Sequence, residues 1–170
     1  LKGKKIAKLK KNDVIFDIGA NDGTLLKYFK KSGFKTIGCE PAKNLTKELK
    51  KNCHYVMDDF WSFEKLDYIL NKHNLKKPKL ITAIGMFYDL DDPNSFVKDI
   101  KKSLADDGIW CIQLSYLPLM LENINFYDIC NEHLEYYSLH VLNNLMNRNG
   151  LKIVDASTNN VNGGSARVFI

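Results

Sequence analysis

The chain has 170 residues, 45% hydrophobic and 11% aromatic, which is enough apolar material for one sizeable core and too ordinary a composition for a disordered or fibrous chain. Its formal net charge of +5 invites a nucleic-acid partner, but only Arg148 and Arg167 supply guanidinium, and lysines spaced along helices more simply make solvated faces, so nucleic acid is the weaker reading. No apolar run approaches bilayer-spanning length and the Lys-rich start leads into no secretion signal, while Cys39, Cys53, Cys111 and Cys130 stand too far apart for a zinc knuckle or a disulfide scaffold; the reading is a cytoplasmic chain with reduced thiols.

The most informative stretch comes early. Val14-Ile-Phe-Asp-Ile18 reads as a buried strand running into Gly19-Ala-Asn-Asp-Gly23 and then a helix over about 23–32, which Gly33 closes. Asp17 places a carboxylate at the carboxyl edge of a parallel sheet. Gly19 and Gly23 allow a tight turn that approaches a ligand, with the backbone amides of the turn, Ala20 and Asn21 among them, expected to face it. Asn21 and Asp22 are equally suited to capping the helix. The Gly-x-x-x-Gly spacing lacks the third glycine of a dinucleotide fingerprint and the Gly-Lys-Ser/Thr of a phosphate loop. An acid at that place suits a cationic ligand better than pyrophosphate, and S-adenosylmethionine has that character.

Thr36-Ile-Gly-Cys39 is a second strand, ending at Glu40, where a carboxylate can accept from two ribose hydroxyls; Pro41 marks the turn into a helix over about 42–51. Tyr55–Met57 leads to Asp58, Asp59 and Phe60, in which the Asp59 carboxylate and the Phe60 ring suit an adenine amino group and its face. Helices are expected over about 62–73, 93–104 and 138–149, with Pro93 at a helix start and Gly108 and Gly150 beyond helix ends. Strands are expected at Leu80–Ile84, Ile109–Leu114, Leu151–Val154 and Arg167–Ile170. Alternating strands and helices give an α/β fold: a Rossmann-like, seven-stranded, mostly parallel sheet with helices on both faces, the last two strands forming an antiparallel pair at one edge.

Asp17-Ile-Gly-Ala-Asn-Asp-Gly23 together with Glu40 resembles the first motif and the ribose acid of the class I S-adenosylmethionine-dependent methyltransferases. The resemblance implies S-adenosylmethionine as cofactor, with S-adenosylhomocysteine as product, held by Asp17, Gly19, Ala20, Asn21, Glu40, Pro41, Asp59 and Phe60, and by Gly85 and Met86 after the fourth strand. Gly85-Met-Phe-Tyr88 opens a ring-rich loop at the same sheet edge, suited equally to walling a methyl-donor pocket and to plain packing. The fifth strand runs through Tyr116 into an irregular stretch ending Asn131-Glu-His-Leu-Glu-Tyr-Tyr137, where Glu132, His133 and Glu135 set an imidazole among acids, as a general base near neutral pH requires.

This Glu-His-Leu-Glu-Tyr-Tyr run, with Asn162-Gly-Gly-Ser-Ala-Arg167, is similar to the C-methyltransferases of nucleotide-linked 4-keto-deoxysugars over about residues 13–170. That likeness implies a base role for His133, supported by Glu132, in removing the proton beside the ketone, and acceptor contacts from Tyr88, Tyr116, Asn131, Asn162 and Arg167. An arginine on a strand pairs more simply with a surface acid. No metal is required by this route. Asn131 and Asn162 stand where that family usually has histidines, and Cys130 where it often has tyrosine; amides hydrogen-bond but take no proton at neutral pH. The family also carries a cysteine-rich zinc segment before this domain and a lobe after it, and Leu1 is not an initiator methionine, so residues 1–170 read as one domain excised from a longer chain. O-methylation of a sugar or another small molecule, or a catalytically silent cofactor-binding domain, stays open beside C-methylation; a nucleic-acid methyltransferase is the least favoured.

Overall fold

The structure is a computed structural model that describes residues 2–170. Seven strands lie in one sheet in the order β3-β2-β1-β4-β5-β7-β6: β1 Val14–Ile18, β2 Lys35–Cys39, β3 Tyr55–Met57, β4 Leu80–Ile84, β5 Ile109–Ser115, β6 Asp155–Asn159 and β7 Ser165–Phe169. The helices are α1 Lys2–Ile6, α2 Thr24–Lys31, α3 Thr46–Asn52, α4 Phe63–Lys72, α5 Pro93–Ser103, α6 Leu117–Glu122 and α7 Leu139–Arg148. The chain divides into two compact units, residues 1–83 with 102–110, and residues 84–101 with 111–170.

In the first unit β1 pairs in parallel with β2 and β4, and β2 in parallel with β3. Every residue of β1 is buried, as a central parallel strand covered on both faces requires. Leu26, Ile37, Leu49, Leu66, Leu80 and Ile81 are fully or almost fully buried around it. Local chemistry sets the helix limits: the Ser62 hydroxyl accepts from the Lys65 amide and starts α4, and Gly33, at φ +85°, follows the end of α2. The second turn of the expected 42–51 helix forms, but helix begins only at Thr46.

In the second unit β7 runs antiparallel to both β5 and β6. Its core is built from Phe87, Ile100, Ile112, Leu142, Met146 and Val168. Ser138 caps α7 by accepting from the Val141 amide. The antiparallel edge pair is present, but its strands are displaced from the expected runs: the apolar Leu151–Val154 is connection, and the edge strand is the more polar Asp155–Asn159, registered Asp155 to Phe169 through Asn159 to Ser165. An edge strand is selected by its ladder to the neighbour, and it needs little apolar side chain of its own. For the same reason β7 begins at Ser165, two residues before the expected Arg167. The stretch after Tyr116 is also less irregular than its sequence suggests, since Leu117–Glu122 is helical and Phe126–Asp128 forms a 3₁₀ turn.

Candidate active site

Three strand tips of the first unit are tied together in sequence. The Ala20 amide donates to the Cys39 carbonyl (2.9 Å), and the Glu40 amide to the Met57 carbonyl (3.0 Å). The Glu40 carboxylate accepts the Asn21 amide on one oxygen (2.9 Å) and the Ala42 amide on the other (3.0 Å). Each oxygen keeps a lone pair, the arrangement needed to receive two vicinal hydroxyls.

Asp17 is buried, 4% exposed, and its carboxylate accepts from the Thr82 hydroxyl, the residue opposite it in the β1–β4 register. Burial raises its pKa to about 7 against the lowering effect of Thr82, and the charge of Glu40 raises it further. Asn52, also buried, donates to the Asp22 carbonyl (2.8 Å) and braces the turn from α3. A Cβ on Gly23, where φ is +79°, would sit 2.9 Å from Asn52 and Leu49, so glycine is required there for close packing as well as for backbone conformation. Nothing in the local sequence around Thr82 or Asn52 marks them; only strand register and helix placement bring them to the turn.

One expectation is corrected. The amides of Ala20, Asn21, Asp22 and Gly23 do not face a ligand: they donate to Cys39, Glu40, the Asn21 side chain and Ala20. A turn this tight satisfies these four donors internally. Asp22, not Asn21, serves the helix start: its carboxylate accepts from both the amide and the hydroxyl of Thr24, which lowers its pKa. Pro41 lies half-buried between Glu40 and Ala42. Asp59 accepts from Lys65 Nζ (2.7 Å) and from the Phe60 amide (2.7 Å), interactions that lower its pKa, and the Phe60 ring is 74% exposed. The Cys39 and Cys53 thiols are buried, with pKa values pushed up to about 12 and about 11, so neither is a nucleophile at neutral pH.

The second unit holds the residues that the sequence pointed to for the acceptor. His133 is half-buried; its Nδ1 lies 2.8 Å from the Asp128 carbonyl oxygen, its ring 4.1 Å from that of Tyr88 and 6.3 Å from that of Tyr136. A carbonyl can only accept, so Nδ1 carries a proton, and in the neutral imidazole the lone pair is on Nε2. The tautomer is thus set by a main-chain oxygen, not by Glu132, which is exposed. The amides of Leu134 and Glu135 both donate to the Tyr88 carbonyl and hold the His133 segment against the Gly85–Asp89 loop. Burial raises the Tyr88 pKa, so its phenol stays neutral. Asp89, to which the sequence reading gave no role, has its pKa raised by burial, lowered by the charge of His133 and raised by that of Glu132. Gly85, at φ +70°, donates to the Gln113 carbonyl (2.8 Å), and Met86 is half-buried beside it in sequence.

Tyr116 bridges to Tyr137 at the end of β5, while Asn131 and Asn162 are exposed amides. Arg167 does not pair with an acid: its Nε and Nη2 both donate to Gln113 Oε1 (3.0 and 2.7 Å), its cross-strand partner on β5. The Gly163-Gly164 pair has a packing role. A Cβ on Gly163 would strike the Tyr127 hydroxyl and Asn125, and one on Gly164 would lie 2.7 Å from Leu119 Cβ. These contacts fix the segment beside a cavity of about 370 Å³ whose walls include Leu117, Met120, Phe126, Ile129 and Tyr136. Among the described residues no cluster of His, Cys, Asp and Glu is arranged to hold a metal, and no helix is long and apolar enough to cross a membrane.

A family model described as a methyltransferase domain matches residues 3–156. The chain belongs to that methyltransferase-domain family. The C-methyltransferase NovU of Streptomyces niveus is 30% identical over 157 residues, covering 92% of this chain, and the chain spans 37% of that relative's length. Among solved structures, a putative methyltransferase in complex with the Haloferax volcanii Trm112 activator superposes with a TM-score of 0.71 at 12% identity, covering 98% of this chain and 87% of the other. The magnesium protoporphyrin IX methyltransferase of Synechocystis PCC 6803, solved with S-adenosylhomocysteine, gives 0.68 at 11% identity, covering 94% of this chain and 74% of the other. At such identities these structural likenesses speak for the fold, which is the Rossmann-like methyltransferase fold expected from the sequence.

Proposed function

We propose that this domain uses S-adenosylmethionine to methylate a carbon beside the ketone of a nucleotide-linked keto-deoxysugar, with His133 as the base. The observation that carries the reading is the Nδ1 contact to the Asp128 carbonyl, which leaves Nε2 of His133 as a lone-pair donor of fixed orientation. Membership of the methyltransferase-domain family and the similarity to NovU support the transfer of methyl and its direction to carbon.

The residues of the first unit fit the donor. S-adenosylmethionine supplies an electrophilic methyl group on a sulfonium. Glu40 receives the ribose hydroxyls, Asp59 the adenine amino group, and the exposed Phe60 ring offers a stacking face. Asp17, at the sheet edge with Gly19, Ala20 and Asn21, complements the positive charge of the ligand; Pro41 completes the donor-binding set of this unit. On the acceptor side, His133 Nε2 takes the proton beside the ketone, and the enolate carbon so formed is the nucleophile. The Asp128 carbonyl stabilises the imidazolium, and the buried Tyr88 ring keeps the imidazole in place. Glu132 adds negative charge nearby. Asn131, Asn162 and Tyr116 supply hydrogen bonds to sugar oxygens, Arg167 supplies a cation for the diphosphate, and the apolar cavity receives the deoxygenated side of the ring.

The test is transfer of labelled methyl to a panel of nucleotide-linked keto-deoxysugars, matched hydroxy-sugars and short RNA and DNA, with fragmentation to place the label. Label on the carbon beside the ketone, falling by about 10²–10⁴-fold in His133→Ala and His133→Asn at unchanged S-adenosylhomocysteine affinity, is the expected result. Turnover left intact by those substitutions would remove the mechanism. Label on oxygen or nucleic acid would overturn the acceptor, and donor binding without transfer would mark a silent domain.

A further inference from the structure

The amino-terminal edge of the parallel strands in the first unit carries a groove that methyl transfer does not use. It lies where β1 and β2 begin and just before β4, and the five residues of β1 separate it by about 16 Å from the carboxyl edge that holds Asp17 and Glu40. Its cavity, about 640 Å³, is lined by seven lysines and two aspartates. Two of the lysines are engaged: Lys79 is paired with Asp107, and Lys77 Nζ donates to the Lys102 carbonyl (2.7 Å). The second acid, Asp13, accepts the Lys10 amide (2.7 Å). Among the described residues Lys8, Lys10, Lys11, Lys35 and Lys76 form no ion pair. The spacing of these lysines in sequence suggested solvated helix faces. The fold instead draws them from three separate segments around one concavity, where ammonium groups repel one another and focus a positive potential.

A second observation coincides with the first. Six described non-glycine residues have a left-handed backbone, and three of them, Lys8 (φ 48°), Asn12 (φ 70°) and Asn74 (φ 49°), line this groove. Asparagine tolerates that conformation, whereas for lysine it is uncommon and costs energy that the fold must supply. These turns place a lysine and two asparagines, all carrying side-chain donors, on the wall of the same groove. The lining contains neither an aromatic ring nor an arginine. Base stacking and bidentate guanidinium contacts are therefore missing, and with them the usual means of gripping a single nucleic-acid strand.

We propose that this groove binds a short phosphate chain, either free or as the tail of a nucleotide, at a site separate from the cofactor seat. Lysine ammonium groups act as point charges toward the phosphate oxygens, and Asn12 and Asn74 supply neutral donors.

The experiment is calorimetric titration of the whole chain with tripolyphosphate, ATP and a short oligoadenylate at 50 and 200 mM NaCl. The same titrations are made on the triple variant K8N/K11S/K76S and on the single variant Lys76→Glu, with melting curves and far-ultraviolet circular dichroism confirming that each is folded. Tripolyphosphate binding that weakens about tenfold or more between the two salt concentrations, and about 30-fold in the triple variant at 50 mM, is the expected result. Lys76→Glu should weaken it about fivefold, which keeps the test decisive if the triple variant does not fold. Tripolyphosphate bound more tightly than ATP identifies a free chain as the ligand, and the reverse order identifies a nucleotide tail. Absence of tripolyphosphate binding by the unmodified chain, undiminished binding by folded variants, or tighter binding of oligoadenylate than of either small ligand would each overturn the proposal.

Discussion

Replacing Asp17 with asparagine should make the unliganded domain more stable near neutral pH while removing a proton-linked contribution to donor binding. The Asp17 carboxyl is buried on β1 and its pKa stands at about 7 against an ordinary 3.8. The folded protein therefore holds a proton that the unfolded chain has already released between those values, and stability falls as pH rises through that window. At about 1.4 kcal/mol for each tenfold change in proton affinity, the full effect is about 4 kcal/mol, complete only above pH 7. Asp17→Asn keeps an acceptor for the Thr82 hydroxyl and carries no charge to desolvate. Urea unfolding of both proteins from pH 4.5 to 8 should give a difference in free energy that is small at the acid end and grows toward 8 in favour of the variant. In the native protein a cationic donor pulls Asp17 into its charged form, so titration at pH 6 in buffers of different ionisation enthalpy should register proton release, absent in the variant. A stability difference independent of pH, or binding at pH 6 with the same proton count in both proteins, would refute this account of Asp17.

Three further substitutions separate binding from folding. Glu40→Ala removes the acceptor of two backbone amides and should cost about 1–3 kcal/mol in urea unfolding and more than tenfold in S-adenosylhomocysteine affinity by calorimetry. Phe60→Ala changes an exposed ring, so its unfolding free energy should stay within about 0.5 kcal/mol of the parent while S-adenosylhomocysteine binds about 2–10-fold more weakly. Gly164→Ala, at φ +142° with Leu119 in the way, should lower stability by about 1–3 kcal/mol in thermal or urea unfolding, and acceptor affinity should fall before donor affinity does.

Much of this protein could be read from local chemistry. The five-residue buried strand Val14–Ile18 that carries Asp17, the two glycines after it, serines before α4 and α7, and glycines beyond α2 and α7 each encode their conformation within a few residues, because strand burial, helix capping and left-handed turns are short-range effects. The carboxylates at successive strand tips, Asp17, Glu40 and Asp59, were legible for the same reason: alternating strands and helices deliver each tip to the same edge of a parallel sheet. The tertiary structure decided whatever depends on partners far away in the chain. The edge strand lies at Asp155–Asn159 because its ladder to β7, not its apolarity, selects it. Thr82 meets Asp17 through strand register, Arg167 turns to Gln113 across the β5–β7 pair, and the His133 tautomer follows from a main-chain carbonyl that no side-chain pattern reveals. The lysines, scattered in sequence like solvent-facing charge, share one groove only after three segments converge at the amino-terminal edge of the strands, since electrostatic fields depend on distance in space and not on spacing in sequence.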